Sequence, residues 1–262
     1  MKILILTTLF FLGACIGSFL NVVIYRLPRR KSFLKIKDRS YCPRCRRGLE
    51  WYDLIPVVSY LVLRGKCRKC GKKISPQYIL VELSMAILVP LLWWMHGTSV
   101  YALIGVVGAV GLLIIAWIDG QRKVVPDAVS LPTLGALVIL QVVYAFVGTD
   151  APWQHLWHIA LASVLGGGWF AAQWFLSKGR WVGSGDIRIG AILGAYLGLS
   201  LGGLALFGSY IFGSIWAAVL LSRGKAKFGT QLPFGVFLGL AGILTFLFGH
   251  VVVEWYQELI GF

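Results

Sequence analysis

Acidic side chains are the scarcest chemical groups in this chain, and their positions are informative. Only ten of the 262 residues are Asp or Glu. Four lie in or beside long apolar runs, where an ionisable group is costly unless it faces water or a partner: Glu82, Asp119, Asp127 and Asp186. Asp119 ends such a run, and at a helix C-terminus its charge would oppose the helix dipole. Helix formation alone therefore does not explain this residue.

Asp186 follows Gly183-Ser184-Gly185, where two glycines loosen the backbone and allow another segment to approach closely. An Asp before a helix can also act as a simple N-cap, and we expect that role for Asp127, which follows Pro126. Both roles stay open for Asp186. Asp119 and Asp186 are therefore the two carboxylates that we consider candidates for catalysis.

Asp119 and Asp186 could form the dyad of an aspartyl protease if they meet at the cytoplasmic ends of two helices. In such a dyad, repulsion keeps one carboxyl protonated while the other activates the attacking water. Helix dipoles favour an ionised Asp186 and a protonated Asp119, but coupled titration leaves the acid and base roles open. A serine or metalloprotease lacks its base or ligands, because the histidines fall near the opposite side: His96, His155, His158 and His250.

Four of the five cysteines form a second chemical centre. Two Cys-x-x-Cys pairs, Cys42/Cys45 and Cys67/Cys70, are separated by twenty-one residues, and Gly48 and Gly71 follow them. This spacing is typical of a zinc ribbon whose metal is structural, because protein ligands fill all four positions. Two disulfides are the alternative, but they rarely persist in the reducing compartment predicted below. Cys15 is expected to be a packing residue.

The elements that must position these groups are membrane helices. The chain is 58% hydrophobic and only 13% charged, a composition typical of a polytopic membrane protein. Runs of roughly 20 apolar residues, the length that spans a bilayer, predict about eight helices: 3–25, 79–95, 100–118, 129–147, 155–176, 187–200, 203–222 and 234–253. A glycine-rich break near Gly198, Gly202 and Gly203 leaves seven spans as the alternative.

The basic residues predict the topology. Sixteen Lys and Arg lie between Arg26 and Lys73, and the others between predicted spans cluster at 122–123, 178–188 and 223–227. By the positive-inside rule these loops face the cytoplasm, which places both termini outside. Residues 12–15 imitate a lipoprotein cleavage site, but the apolar run continues to Ile24, so a retained first helix is expected.

Residues 26–77 are the only segment large enough for a domain outside the membrane. Its cations could bind nucleic acid or anionic lipid. Interspersed apolar residues favour lipid and a domain lying on the membrane surface: Trp51, Leu54, Ile55, Pro56, Val57 and Tyr60. We expect no nucleic acid partner.

The ordered motifs resemble the bifunctional type IV prepilin leader peptidases, also called prepilin peptidase/N-methyltransferases. The resemblance spans almost the whole chain and rests on these segments: Gly17–Pro28, the two Cys pairs, Ile55-Pro56, Ser75–Tyr78 leading to Glu82, Ile118-Asp119, Pro126-Asp127, Gly183–Asp186 and Pro233-Phe234-Gly235. One position departs from the family pattern: Arg188 stands where a lysine is usual. Because Arg does not deprotonate, it could hold the dyad or the substrate but not transfer protons.

The resemblance implies an all-α enzyme of the bacterial cytoplasmic membrane with three parts: a first helix (1–25), a methyltransferase-associated zinc insert (26–77) and a peptidase domain (78–262). It implies that Asp119 and Asp186 cut a basic leader from prepilins or pseudopilins after a glycine on the cytoplasmic side. It also implies N-methylation of the new terminus with S-adenosylmethionine. No glycine-rich nucleotide loop is visible, so Asn21 and Glu82 are only candidates for the donor site, alongside ordinary helix–helix contacts.

Two other classes of function are alternatives for a helix bundle that contains acidic residues. A proton-coupled transporter would favour midplane charges and internal repeats, and a zinc-ribbon membrane scaffold would give no reason for the position of Asp119. The oligomeric state and the particular pilin system stay open.

Overall fold

A computed structural model describes residues 1–29, 40–227 and 229–260. Most of these residues are helical, whereas residues 40–76 consist mainly of turns and irregular chain. The α-helices are α1 (Lys2–Arg26), α2 (Val58–Val62), α3 (Gln77–His96), α4 (Val100–Arg122), α5 (Asp127–Gly148), α6 (Pro152–Ser177), α7 (Ser184–Ser222) and α8 (Phe234–Ile260). Within the described residues, seven helices are long and apolar enough to cross a membrane, namely all except α2. The predicted all-α membrane class is confirmed.

The chain divides into two compact units, Met1–Gly97 and Thr98–Phe262. In the first unit α1 packs against α3, so closely that a Cβ added at Gly17 would lie 2.6 Å from the Glu82 Cα. Between these helices lies the insert, in which a 3₁₀ turn (Trp51–Leu54) precedes α2. The unit therefore joins two membrane helices and the polar segment between them.

The second unit is a bundle of α4 to α8, in which α7 packs against α6 and α8 and α4 packs against α5 and α8. Its core consists of aliphatic side chains with at most 1% of their surface exposed: Leu112, Ile115, Ile189, Ile192, Leu193 and Leu238. The core thus joins α4, α7 and α8, which carry or surround both aspartates.

Helix α7 contains both predicted spans 187–200 and 203–222, but it is broken at Gly198 (φ 73°, ψ −168°), a conformation open to glycine. The chain folds back there, because a Cβ at Gly202 would lie 3.7 Å from the Leu193 carbonyl oxygen. Farther from the break, Phe170 of α6 lies near Gly190 and also stacks on Tyr210. Helix α7 is therefore a hairpin within one apolar segment.

The hairpin explains why the number of spans could not be fixed from the sequence. Its first arm, residues 184–197, is about 21 Å long at 1.5 Å per residue, which is shorter than the roughly 30 Å hydrocarbon core. The second arm returns toward the start of α8, where the rings of Tyr210 and Phe234 lie 5.0 Å apart. Both ends of α7 consequently lie at the same end of the bundle.

Candidate active site and metal centre

Asp119 lies one turn before the end of α4 and is 6% exposed. The backbone amides of Gly235 and Val236, at the N-terminus of α8, face its carboxylate, and Lys123 interacts with it electrostatically. The α8 dipole thus offsets the unfavourable end of α4. The sequence pattern missed this partner, although Pro233-Phe234-Gly235 was part of the resemblance.

The Oδ2 atom of Asp119 is buried and accepts no hydrogen bond from the described residues. Gly235 borders this oxygen, since a Cβ added there would lie 2.9 Å from Oδ2 and 3.1 Å from the Cδ1 of Ile189. Only a glycine leaves the carboxylate undisturbed at this approach. The free oxygen can accept a hydrogen bond from a water or share a proton with a second carboxyl.

Asp186 lies in the first turn of α7 and is 7% exposed. It is not the N-cap that one interpretation of the sequence allowed: Gly183 occupies that position, and its N–H donates to Asp186 Oδ2 at 3.0 Å. Asp186 and Asp119 interact electrostatically, so the structure brings together the two carboxylates that were paired from sequence. Each carboxylate meets backbone amides at a helix N-terminus: Asp186 at the start of its own helix α7, and Asp119, from the end of α4, at the start of α8.

Arg188 and Asp127 fasten the loop between α4 and α5 to α7. The two side chains form an ion pair, and the Arg188 guanidinium also donates to the Val125 carbonyl at 3.4 Å. Val125 fills the space beside Gly185, where an added Cβ would lie 2.6 Å from the Val125 Cβ. The prediction that Asp127 caps α5 was wrong, because Pro126 occupies the N-cap position and Asp127 is the first residue of the helix. The carboxylate is instead neutralised by the guanidinium.

The four insert cysteines lie together, with their Sγ atoms all within 4.8 Å of one another. The sulfurs of Cys42 and Cys70, and of Cys45 and Cys67, are 4.0 Å apart, about twice the length of a disulfide bond. Four sulfurs about 2.3 Å from a tetrahedral Zn²⁺ would be separated by roughly 3.8 Å. The donor set and its spacing therefore fit a structural zinc ion.

The two Cys-x-x-Cys loops fold alike. The N–H of Cys42 donates to Arg47 O and the N–H of Cys67 donates to Lys72 O, each at 2.9 Å. Backbone amides also point at the sulfurs: those of Cys70 and Lys69 lower the pKa of Cys67 to about 6. The pKa of Cys70 is instead raised to about 11, because the lowering effect of the Lys72 amide is outweighed by burial and the neighbouring thiols. Cys67 is thus more acidic than Cys70, and a thiolate is the form that binds metal.

Asn21 and Glu82, the candidate donor-site residues, are both buried in the first unit. Asn21 Nδ2 donates to Tyr78 O at 2.9 Å, whereas its Oδ1 has no partner among the described residues. The Glu82 carboxylate accepts from Val57 N–H at 2.7 Å and interacts with Ser18. These contacts join α1, α3 and the insert, while a role in binding a methyl donor stays a prediction.

A helical membrane bundle that pairs two buried aspartates, preceded by a four-cysteine insert, defines the class of polytopic membrane peptidase with an added cysteine module. Residues 11–96 match the family model described as "Bacterial Peptidase A24 N-terminal domain", and residues 106–218 match the "Type IV leader peptidase family". The chain belongs to this family, as the sequence resemblance indicated. This membership favours the peptidase over the transporter and the scaffold.

The similarity to curated relatives extends over nearly the whole chain. The chain is 33% identical to the prepilin leader peptidase/N-methyltransferase of Stutzerimonas stutzeri, over 94% of this chain and 92% of the relative. It is 31% identical to the protein of that name from Pseudomonas putida, over 96% and 93% of the two chains. It is also 32% identical to the protein of that name from Neisseria gonorrhoeae, over 90% of this chain and 87% of the relative. No solved structure matches this chain.

Proposed function

We propose that this protein is an aspartyl endopeptidase that removes the basic leader of type IV prepilins or pseudopilins after a glycine, on the cytoplasmic side of the bacterial inner membrane. The observation that carries the proposal is the buried pairing of Asp119 and Asp186 at one end of the bundle. Family membership supports the substrate class.

The chemistry follows from two carboxyls that share one proton. The ionised carboxylate takes a proton from the water that attacks the scissile carbonyl carbon, and the protonated carboxyl transfers its proton to the departing amide nitrogen. The amides of Gly235 and Val236 would hold Asp119, and that of Gly183 holds Asp186. Which carboxyl begins protonated stays open, because the pair titrates as a unit.

The second proposed activity is N-methylation of the amino group that cleavage exposes. The relatives' name supports it, and S-adenosylmethionine would supply an electrophilic methyl group when bound. The insert (26–77) would present the new terminus, and a zinc ion held by Cys42, Cys45, Cys67 and Cys70 would keep its two loops together. Asn21 and Glu82 stay candidates for the donor site, and residues 78–262 are assigned to the peptidase.

The distribution of Lys and Arg supports the proposed orientation in the membrane and the proposed lipid contact of the insert. The basic loops would face the cytoplasm, and the insert would contact anionic lipid headgroups rather than nucleic acid. The ion pair of Arg188 with Asp127 supports a structural role for Arg188 beside the dyad, in place of a direct contact with the carboxylates.

Incubation of the purified chain with a leader-bearing prepilin and S-adenosylmethionine tests both activities. Mass spectrometry of the pilin N-terminus should show loss of the leader and a gain of one methyl group. The matched control is Asp127→Asn, which removes an acidic group near the dyad but leaves both proposed catalytic carboxyls in place. A pilin that keeps its leader with the wild-type enzyme would refute the peptidase proposal.

A further inference from the structure

The insert carries exposed apolar side chains within one short segment. Here "apolar turn" denotes Trp51–Val62, the 3₁₀ turn and α2 with the residues between them. Trp51, Leu61 and Val62 are 75%, 61% and 70% exposed, and Leu54, Ile55 and Val58 are also exposed. Exposed apolar side chains gathered in one short segment are typical of a site of interaction with a protein or a membrane.

One hydrogen bond fixes the depth of the apolar turn. Val57 N–H donates to Glu82, which lies five residues into α3. At 1.5 Å per residue this is about 7.5 Å below the start of a candidate membrane span. Val57 therefore lies beside the first turns of this span, where a helix that starts at the membrane surface passes from headgroups to acyl chains.

The contact with Glu82 also supports an unusual backbone. Val57 has φ 62° and ψ −52°, and a β-branched residue with positive φ is strained. Such a conformation persists only where its surroundings impose it. Glu82 does so from α3, and its carboxylate also interacts with Ser18 of α1. The apolar turn is consequently attached to the membrane helices and not merely tethered by flexible chain.

Charge distinguishes among the possible occupants of this surface. Residues 40–77 contain nine Lys or Arg and two acidic residues. One of the two, Asp53, is paired with Arg47 and Arg68. A basic leader peptide would be repelled by such a surface, whereas anionic lipid would be attracted. Trp and Tyr side chains, such as Trp51 and Tyr52, are those that prefer the membrane interface.

We propose that the apolar turn is an interfacial anchor seated in anionic phospholipid, with Glu82 as the positioning residue that sets its depth. The proposal rests on the membrane placement given under Proposed function. It assigns to Glu82 a task that is separate from catalysis and needs no bound methyl donor.

Lipid photocrosslinking tests this anchor on the full chain. The protein is placed in nanodiscs that contain phosphatidylcholine with or without phosphatidylglycerol, and either lipid carries a diazirine near the top of the acyl chain. We expect label on Trp51–Val62, at least about threefold more from phosphatidylglycerol. The exposed face of α5, at Ile139 and Val147, serves as the internal reference for lipid contact.

Substitutions at Glu82 and in the apolar turn test the positioning contact and the lipid contact separately. Glu82→Met keeps side-chain volume but removes the acceptor, so label on the apolar turn should fall at least about threefold relative to α5. Glu82→Gln keeps an acceptor oxygen and should retain most of the label. Because Glu82→Met could impair folding, Leu61→Ser/Val62→Ser is the second variant; it changes only exposed residues and should lower the label with an unchanged melting temperature.

Three results would overturn the proposal. Label on α5 with only background on the apolar turn would show that the turn does not meet lipid. Displacement of the lipid label by a prepilin peptide or by an oligonucleotide would assign the surface to that ligand instead. Absence of label from both α5 and the apolar turn would refute the membrane placement itself, together with this anchor.

Discussion

Gly235 is the position where the smallest possible change should most affect cleavage. In Gly235→Ala, the new Cβ would lie 2.9 Å from Asp119 Oδ2 and 3.1 Å from both Asp119 Cγ and Ile189 Cδ1. Non-bonded contacts of a Cβ with these carbon and oxygen atoms are normally a few tenths of an ångström longer than these distances. Because Ile189 is fully buried on the other side, the carboxylate should yield by rotating or shifting away from Asp186.

The expected magnitude follows from these distances. Overpacking of this kind costs about 1 to 3 kcal/mol, and a misplacement of 1 Å can reduce a rate by 10²-fold. We therefore expect kcat for leader cleavage to fall by roughly 10- to 100-fold, equivalent to about 1.4 to 2.7 kcal/mol. KM should change little, because the substitution acts on Asp119 rather than on a substrate-binding surface.

The assay is steady-state cleavage of a prepilin, with thermal unfolding of each variant measured in the same detergent. Gly168→Ala is the matched control, because it adds the same methyl group to a helical glycine with no atom within 4 Å. It should retain full activity and gain up to about 1 kcal/mol of stability. Full activity of a folded Gly235→Ala enzyme would refute the proposed packing of α8 on the Asp119 carboxylate.

Three further predictions concern the dyad, the ion pair and the metal. Asp119→Asn and Asp186→Asn should each abolish cleavage in a folded protein, while Asp186→Asn should still methylate a pre-cleaved pilin; loss of that methylation would favour a shared site. Asp127→Asn should lower the free energy of unfolding by at most about 1 kcal/mol, because the carboxylate of the ion pair is largely exposed. The exchange Asp127→Arg/Arg188→Asp should recover part of this lost stability, as measured by thermal unfolding. Metal analysis should find about one zinc per chain, and Cys67→Ser should release it and reduce methylation more than cleavage; a zinc-free, active wild-type protein would contradict the site.

Residue patterns predicted the parts of this molecule that obey local rules. Apolar run length identified the long helices, and Cys-x-x-Cys spacing identified the four thiols that the structure brings together. The pairing of Asp119 with Asp186 was predicted because unexplained charge in apolar surroundings is informative in itself. These signals depend on residue type and short-range spacing, which a single sequence contains.

Such patterns could not predict contacts between residues that are far apart in the sequence. The contact of Asp119 with the amides of Gly235 and Val236 joins positions more than 110 residues apart, and backbone groups carry no side-chain signal. The cap assigned to Asp127 was wrong for a similar reason, since its partner Arg188 comes from another helix. The hairpin in α7 requires a backbone angle at Gly198 that its glycine permits but does not specify.

The contribution of α8 to Asp119 has a consequence for biosynthesis. Ribosomes synthesise α4 and α7 before α8. The short first arm of α7, which carries Asp186, cannot span the bilayer alone and depends on α6 and α8 for burial. A growing polypeptide therefore contains Asp119 and Asp186 before the amides of α8 that face Asp119 have been synthesised. The surroundings of this carboxylate are completed only after α8 has been translated and has packed against α4.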